Sequence, residues 1–231
     1  MGVMQTGRIA IIPARGGSKR LPRKNILPVN GHPVIAYPIR AAKNSGLFDD
    51  VVVSTEDDEI AEIGASQGAT IIARPDELAR DQSTVVEVCS QVLNLPEYRG
   101  MERFCCIYAT ALFVTAQDIS NALEVMDDEP AADYVMGVSE YNYPPVQALK
   151  QNGGYLQYMW PEYRGKQSQE YPELVVSNGT IYWANRNAFM EEQSFYGRRL
   201  KGYRLPAVDI DTPADYKEAK RIAEERGLAL T

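Results

Sequence analysis

The chain has 231 residues, 45% of them hydrophobic and 24% charged, enough for one compact α/β domain from 1 to 231 but offering no run of about 18 apolar residues to cross a bilayer. The start lacks the basic-then-apolar pattern of a secretory signal, so a cytoplasmic protein is expected, and Met1-Gly2-Val3-Met4-Gln5-Thr6 is discounted as a chance match to a lipidation pattern. Net charge is −7, yet no Asp or Glu occurs before Asp49, while Arg8, Arg15, Lys19, Arg20, Arg23, Lys24, Arg40 and Lys43 all fall there; this suits a small polyanion better than a long nucleic acid or a membrane.

In chain order, Arg8-Ile-Ala-Ile-Ile-Pro13 reads as a buried strand, followed by a glycine- and lysine-rich loop and a helix opening at Pro33 and ending near Gly46. Asp50–Ser54, Asp57–Gln67 and Thr70–Ala73 repeat the rhythm as strand, helix and strand, which implies parallel pairing. Thr84–Leu95 reads as a third helix, Phe104–Ala109 as a central strand, Ala116–Met126 as a fourth helix and Asp133–Val138 as another strand. From Pro144 to Tyr158 the pattern alternates around Asn152-Gly153-Gly154, the signature of a hairpin. Thr180–Trp183 returns to strand, Arg186–Glu192 is a short helix, Tyr203–Ile210 a last strand, and Thr212 caps a final helix ending at Gly227. The expected fold is a doubly wound, mostly parallel α/β sheet with an antiparallel excursion at about 140–176, its ligand beyond the carboxyl ends of the strands.

Residue types narrow the chemistry. Of three cysteines, Cys105 and Cys106 lie inside an apolar strand and read as packing. The single histidine, His32, sits in a turn, so a multi-histidine zinc site is impossible and a Ser-His-Asp triad would have to use that residue. The loop Ile12-Pro-Ala-Arg-Gly-Gly-Ser-Lys-Arg-Leu-Pro-Arg-Lys-Asn25 is neither a Walker loop nor a G-x-G-x-x-G fingerprint. Its glycines and cations after the first strand suit phosphate, the alternative being a solvated basic loop. Asp209 and Asp211 alternate with Val208 and Ile210, and on a strand their Cα atoms would lie roughly 7 Å apart on one face. They read as a metal pair or as a polar face beside a helix cap.

From Ile12 to Asn25 the sequence resembles the acylneuraminate cytidylyltransferases, whose opening motif runs I-P-A-R-x-x-S-K-x-L-P-x-K-N. The likeness continues through Asn30–Pro33, Val52–Asp57, Ala73–Ala79 and Asp209–Thr212, nearly the whole chain. The resemblance implies transfer of the cytidylyl group of CTP to an acidic sugar, with Ala14, Arg15, Ser18, Lys19, Lys24, Asn25, Arg74 and Ser83 at the nucleotide. It implies Mg2+ on Asp209 and Asp211, with Arg15, Lys24 and Asp211 in the catalytic roles. It also implies a homodimer formed through the excursion, whose Tyr141, Tyr143, Tyr155, Tyr158, Trp160 and Tyr163 exceed what one flap can bury.

The acceptor region departs from the sialic acid enzymes. Tyr108-Ala-Thr-Ala-Leu-Phe-Val114 replaces their Q-P-T-S-P-L-R, Gln147 replaces a basic residue, and Lys166 or Gln167 stands where an Arg is expected. Tyr108-Ala-Thr-Ala111, Met159–Glu162, Pro145-Val-Gln147 and Ser168-Gln169 look like the pseudaminic acid branch, although Leu112 replaces a Pro and Val176–Gly179 differs from both. Tyr108, Gln147, Gln167, Asn178 and Tyr182 are the expected sugar-binding residues, each equally readable as packing or loop chemistry. Alternatives are an N-acetylneuraminate or eight-carbon (3-deoxy-manno-octulosonate) cytidylyltransferase, or a nucleotide-binding module without catalysis.

Overall fold

The computed structural model describes residues 7–128, 132–206 and 208–230, so the Met1–Thr6 pattern lies outside the described residues. Chain order is β1 (Arg8–Pro13), β2 (Pro28–Val29), β3 (His32–Pro33), α1 (Ala36–Ser45), β4 (Asp50–Thr55), α2 (Asp58–Ser66), β5 (Thr70–Ala73) and α3 (Val85–Leu93). There follow β6 (Arg103–Ile107), α4 (Ala116–Asp127), β7 (Tyr134–Glu140), β8 (Leu149–Asn152), β9 (Tyr155–Tyr158), β10 (Val175–Asn185), α5 (Arg186–Glu192), β11 (Leu200–Arg204) and α6 (Pro213–Glu225). No helix among the described residues is long and apolar enough to cross a membrane.

Seven strands form one sheet in the order β11-β7-β10-β6-β1-β4-β5. β1 pairs in parallel with β4 and β6, β4 with β5, and β7 with β11, whereas β10 runs antiparallel to both β6 and β7. Six strands therefore share one direction, and β10 alone opposes them. Strand order reverses at β1, because the chain moves outward through β4 and β5 and then returns to lay β6 on the other side. That reversal opens a crevice at the carboxyl ends of β1 and β6.

Period-2 alternation divides the core in two. Ala10, Ile12, Val51, Val53, Cys105 and Ile107 pack with α1, α2 and α4 on one face, while Ile9, Ile11, Val52, Phe104 and Cys106 pack with α3 and α5 on the other. The adjacent cysteines thus point to opposite faces, and burial pushes both thiols up, away from the reactive thiolate. Helix starts carry their own signals: Asp57 accepts from Ile60 N, and Thr84, Thr115 and Thr212 each form a capping box with the residue three positions on.

Two sequence expectations need correction. The first helix starts at Ala36, not at Pro33, since Pro28–Val29 and His32–Pro33 pair across the tight turn Asn30-Gly31 before it. The last strand does not run from Tyr203 to Ile210: β11 ends at Arg204, the Leu205 N–H makes a final bond to Val138 O at 3.0 Å, and Pro206 has no N–H with which to continue the ladder. Asp209 and Asp211 therefore lie on the irregular segment leading into α6.

The excursion forms as expected, with Gly153 and Gly154 at φ 56° and 84° supplying the turn between β8 and β9. All eight residues of these strands are exposed, Tyr155 by 79%.

Two carboxylates that are largely buried against arginines titrate low. Asp57 is held below its usual range chiefly by hydrogen bonding to Arg23, and Asp133 chiefly by Arg199, which donates from Nε and Nη2 at 2.6 and 2.7 Å. A depressed folded pKa contributes stability above the unfolded value, near 4, and loses it as pH falls through the folded value. The melting temperature is expected to be flat from pH 7 to about 5 and to fall steeply below about 4. A scan flat to pH 3 would remove these pairs from the stability account.

Candidate active site

At the crevice the structure forms a cavity of about 390 Å3. Its walls come from separate carboxyl ends: Pro13 and Arg15 after β1, Arg74 after β5, Tyr108, Ala109 and Thr110 after β6, and Asp209 and Asp211 beyond β11. Asn25, Lys24 and Arg20 enter from the long loop, Ser83, Thr84, Val85 and Val88 from the start of α3, and Gly179 from antiparallel β10.

The loop after β1 is braced by an acidic stretch after β4. The Gly16 N–H donates to Glu56 Oε1 at 2.8 Å, Arg23 bonds to both Asp57 and Glu59, and Asn25 Nδ2 donates to Arg15 O at 3.0 Å. Glycine at position 16 follows from this contact, since a Cβ there would lie 2.3 Å from Asp57 Oδ2. Buried Leu21, Val29, Val34 and Tyr37 seat the loop's far side against Ile210, Ala219 and Ala223, so α6 supports the basic loop and the acidic segment together.

Charges meet in two sets of ion pairs. Arg15 Nη1 reaches Asp81 Oδ1 at 2.9 Å, and Lys19 bonds the same carboxylate. Across the cavity, Lys24 Nζ donates to Asp211 Oδ1 at 2.8 Å and Arg20 Nη2 to Oδ2 at 2.6 Å. Burial alone would raise Asp211, but Lys24 and Arg20 outweigh it and leave the carboxyl below its usual range. Asp209 is raised, first by burial and then by the charge of Asp211. Arg74 is lowered by burial, with Glu56 the principal charge opposing that shift.

Of the residues expected at the nucleotide, Arg15, Lys24, Asn25, Arg74 and Ser83 line the cavity. Ala14 is buried behind it with its N–H on Ser54 O, while Ser18 and Lys19 stand on the loop outside the lining. Among the expected sugar residues only Tyr108 lines it; Tyr182 is buried behind, its ring 5.3 Å from that of Tyr108 and its hydroxyl 2.7 Å from Ser177 Oγ. Asn178 is engaged internally, donating to Leu205 O at 2.7 Å and Ser139 Oγ at 3.2 Å and accepting from Thr180 Oγ1 at 2.6 Å, which ties the bulge of β10 to the chain leading to Asp209. Gln147 and Gln167 sit in the excursion, outside the cavity lining, with Gln147 donating to Tyr171 Oη at 3.0 Å.

Arg20, Asp81, Thr84 and Thr110 were not singled out as site residues from the sequence. Arg20 was visible only as one cation of a basic loop, and Asp81 carries no local motif at all.

Among the described residues no group of three or more His, Cys, Asp or Glu gathers anywhere, so no all-protein metal cage is built. Asp209 and Asp211 facing one cavity fit a hard cation of the Mg2+ type, which takes one or two carboxylates and completes its shell with water and phosphate.

A glycine-containing loop of cations at the switch point of a mostly parallel sheet, sharing one cavity with paired carboxylates, defines a nucleotide-handling α/β enzyme of the phosphoryl- or nucleotidyl-transfer class. A family model described as cytidylyltransferase matches residues 9–230, and the chain belongs to that family. It is 33% identical to the pseudaminic acid cytidylyltransferase of Campylobacter jejuni over 92% of this chain and 94% of that protein. It is 32% identical to the N-acylneuraminate cytidylyltransferase of Streptococcus agalactiae over 90% of this chain and 51% of that protein. Among solved structures, a CMP:2-keto-3-deoxy-manno-octonic acid synthetase complexed with CTP shares the fold, with a TM-score of 0.72 at 17% identity, over 95% of this chain and 99% of that one.

Proposed function

We propose that this protein joins the cytidylyl group of CTP to the anomeric hydroxyl of a nine-carbon acidic sugar of the pseudaminic or sialic type, releasing pyrophosphate, and that it acts in the cytoplasm. The observation that carries this reading is one cavity at the switch point lined by Arg15, Lys24 and Arg74 together with Asp209 and Asp211. In-line attack at the α-phosphorus builds charge on the bridging and non-bridging oxygens, and fixed cations stabilise that charge where it develops.

Arg15 and Lys24 exchange Asp81 and Asp211 for phosphate oxygens, and Arg20 and Lys19 lie on the path by which pyrophosphate leaves. Asn25 and Arg74 face the cytosine and ribose end. Asp209 and Asp211 would hold Mg2+, which when bound would supply charge neutralisation and a lowered pKa for the attacking hydroxyl. Tyr108 forms the floor on the acceptor side, its ring tilted against that of Tyr182 at 5.3 Å.

The likeness of Tyr108–Ala111 and Met159–Glu162 to the pseudaminic branch favours pseudaminic acid over N-acetylneuraminic acid. Turnover measured with pseudaminic acid, N-acetylneuraminic acid and the eight-carbon 3-deoxy acid tests the choice. The first is expected to react at least tenfold faster than the others, on the order of what a site built around substrate polar groups achieves. Preference for the eight-carbon acid would overturn the acceptor assignment.

The working unit in this reading is a homodimer. The β8–β9 hairpin exposes Leu149, Tyr155, Leu156 and Tyr158, and a two-stranded ribbon with no covered face is marginally stable alone. A second copy of the chain covers that surface and brings Gln147 and Gln167 towards a neighbouring site. Light scattering at micromolar concentration is expected to give twice the chain mass of 25.8 kDa. A single-chain mass would remove the partner from the account.

A further inference from the structure

The segment after β4 carries a carboxylate that the mechanism above does not use. Glu56 sits at the end of Ser54-Thr55-Glu56, with one oxygen, Oε1, accepting the Gly16 N–H at 2.8 Å. The other, Oε2, is buried, has no hydrogen-bond partner among the described residues, and lies 3.9 Å from Arg74 Nη1. A buried carboxylate oxygen without a donor is costly, and natural structures retain one where it serves another group.

That group is Arg74. Its side chain is only 4% exposed, yet it lines the cavity, and its Nη2 donates to Ser54 O at 2.7 Å. The guanidinium is thus anchored at one nitrogen by a backbone carbonyl and electrostatically balanced at the other by Glu56. Arg15, on the same wall, pushes against the charge of Arg74. Without Glu56, the buried Arg74 would lose the carboxylate paired with it while Arg15, whose own partner is Asp81, still opposes its charge, a geometry that favours rotation of its head towards solvent or ligand.

We propose that Glu56 is a positioning residue that locks the phosphate loop to the nucleoside wall, fixing Gly16 through one oxygen and orienting the Arg74 guanidinium, whose charge it balances, through the other. The inference rests on the cytidylyl reading of the cavity. Glu56 touches no substrate; it acts through the two groups it joins. Its two arms differ chemically, because glutamine can keep an acceptor for Gly16 while losing the negative charge beside Arg74, whereas alanine loses both.

The test is calorimetric binding of CMP and of inorganic tripolyphosphate to the full-length wild type and to Glu56→Gln, Glu56→Ala, Arg74→Gln and the Glu56→Gln/Arg74→Gln pair. Glu56→Gln is expected to weaken CMP about tenfold and tripolyphosphate less than about twofold, the size of one charge-assisted contact. In the Arg74→Gln background the same change is expected to cost less than about twofold further, because the partner through which it acts is gone. Glu56→Ala is expected to weaken both ligands. CMP binding unchanged in Glu56→Gln, or an equal loss in both backgrounds, overturns the inference. Should Glu56→Ala not fold, the glutamine variant and the cycle carry the decision alone. A wild type that binds tripolyphosphate but not CMP fails earlier, at the cytidylyl reading, and takes this inference with it.

Discussion

Asp211→Ala is expected to lower kcat/KM about a thousandfold, a loss of about 4 kcal/mol of transition-state stabilisation. Asp211 is one of three carboxylates lining the cavity, with Asp81 and Asp209, and the point where two of the loop's cations converge, Lys24 at 2.8 Å and Arg20 at 2.6 Å. Its removal takes away half of the carboxylate pair proposed to hold Mg2+ and also frees Lys24, whose side chain is mostly buried, from the group that orients it. The loss is expected mainly in kcat, since the proposed nucleotide residues Arg15, Arg74 and Asn25 remain in the cavity wall. Steady-state pyrophosphate release measures it, with Glu218→Gln on the outer face of α6 as a neutral control. A loss below about tenfold would show that the charge at this position serves the fold and not the reaction.

Trp183→Ala is expected to destabilise the protein by about 3–5 kcal/mol, the largest single effect in the core. Trp183 is fully buried on β10, stacks on Phe48 at 5.2 Å and donates from Nε1 to Ile119 O at 3.1 Å. It therefore joins the antiparallel strand to α4 and to the segment before β4. Truncation leaves a cavity lined by elements that cannot close on it, because β10 is clamped between β6 and β7. Urea denaturation would show the midpoint falling with an unchanged slope. A shift below about 1 kcal/mol would mean that the neighbourhood collapses to fill the space.

The parallel half of the sheet was legible because its strands are continuous apolar runs with helices between them, and β1, β4, β5 and β6 lie close to where that pattern places them. The carboxyl end of β1 carries the clearest functional signal, since glycines and cations placed there suit phosphate better than they suit a merely solvated loop. The Asp209–Asp211 segment was misjudged because alternation over Val208–Asp211 mimics a strand, while the single residue that forbids one, Pro206, stands before it. The acid–base partners of the loop were hidden for a different reason. Glu56 and Asp81 lie 40 and more positions from the residues they hold, and only the folding of β4 and α3 against β1 brings them there. Tyr182 and Asn178 are polar side chains near a site whose bonds the structure shows to be internal, a distinction that spacing does not carry.

The measurement that tests the central claim most directly is phosphorus NMR of one reaction mixture containing the protein, CTP, Mg2+ and pseudaminic acid. The account predicts that the triphosphate signals give way, in equal amounts, to pyrophosphate and a single phosphodiester of a CMP-linked sugar, and that neither forms when the sugar is omitted. Persistence of CTP with every nine-carbon acid, or pyrophosphate released without a phosphodiester, would contradict cytidylyl transfer to a sugar acid.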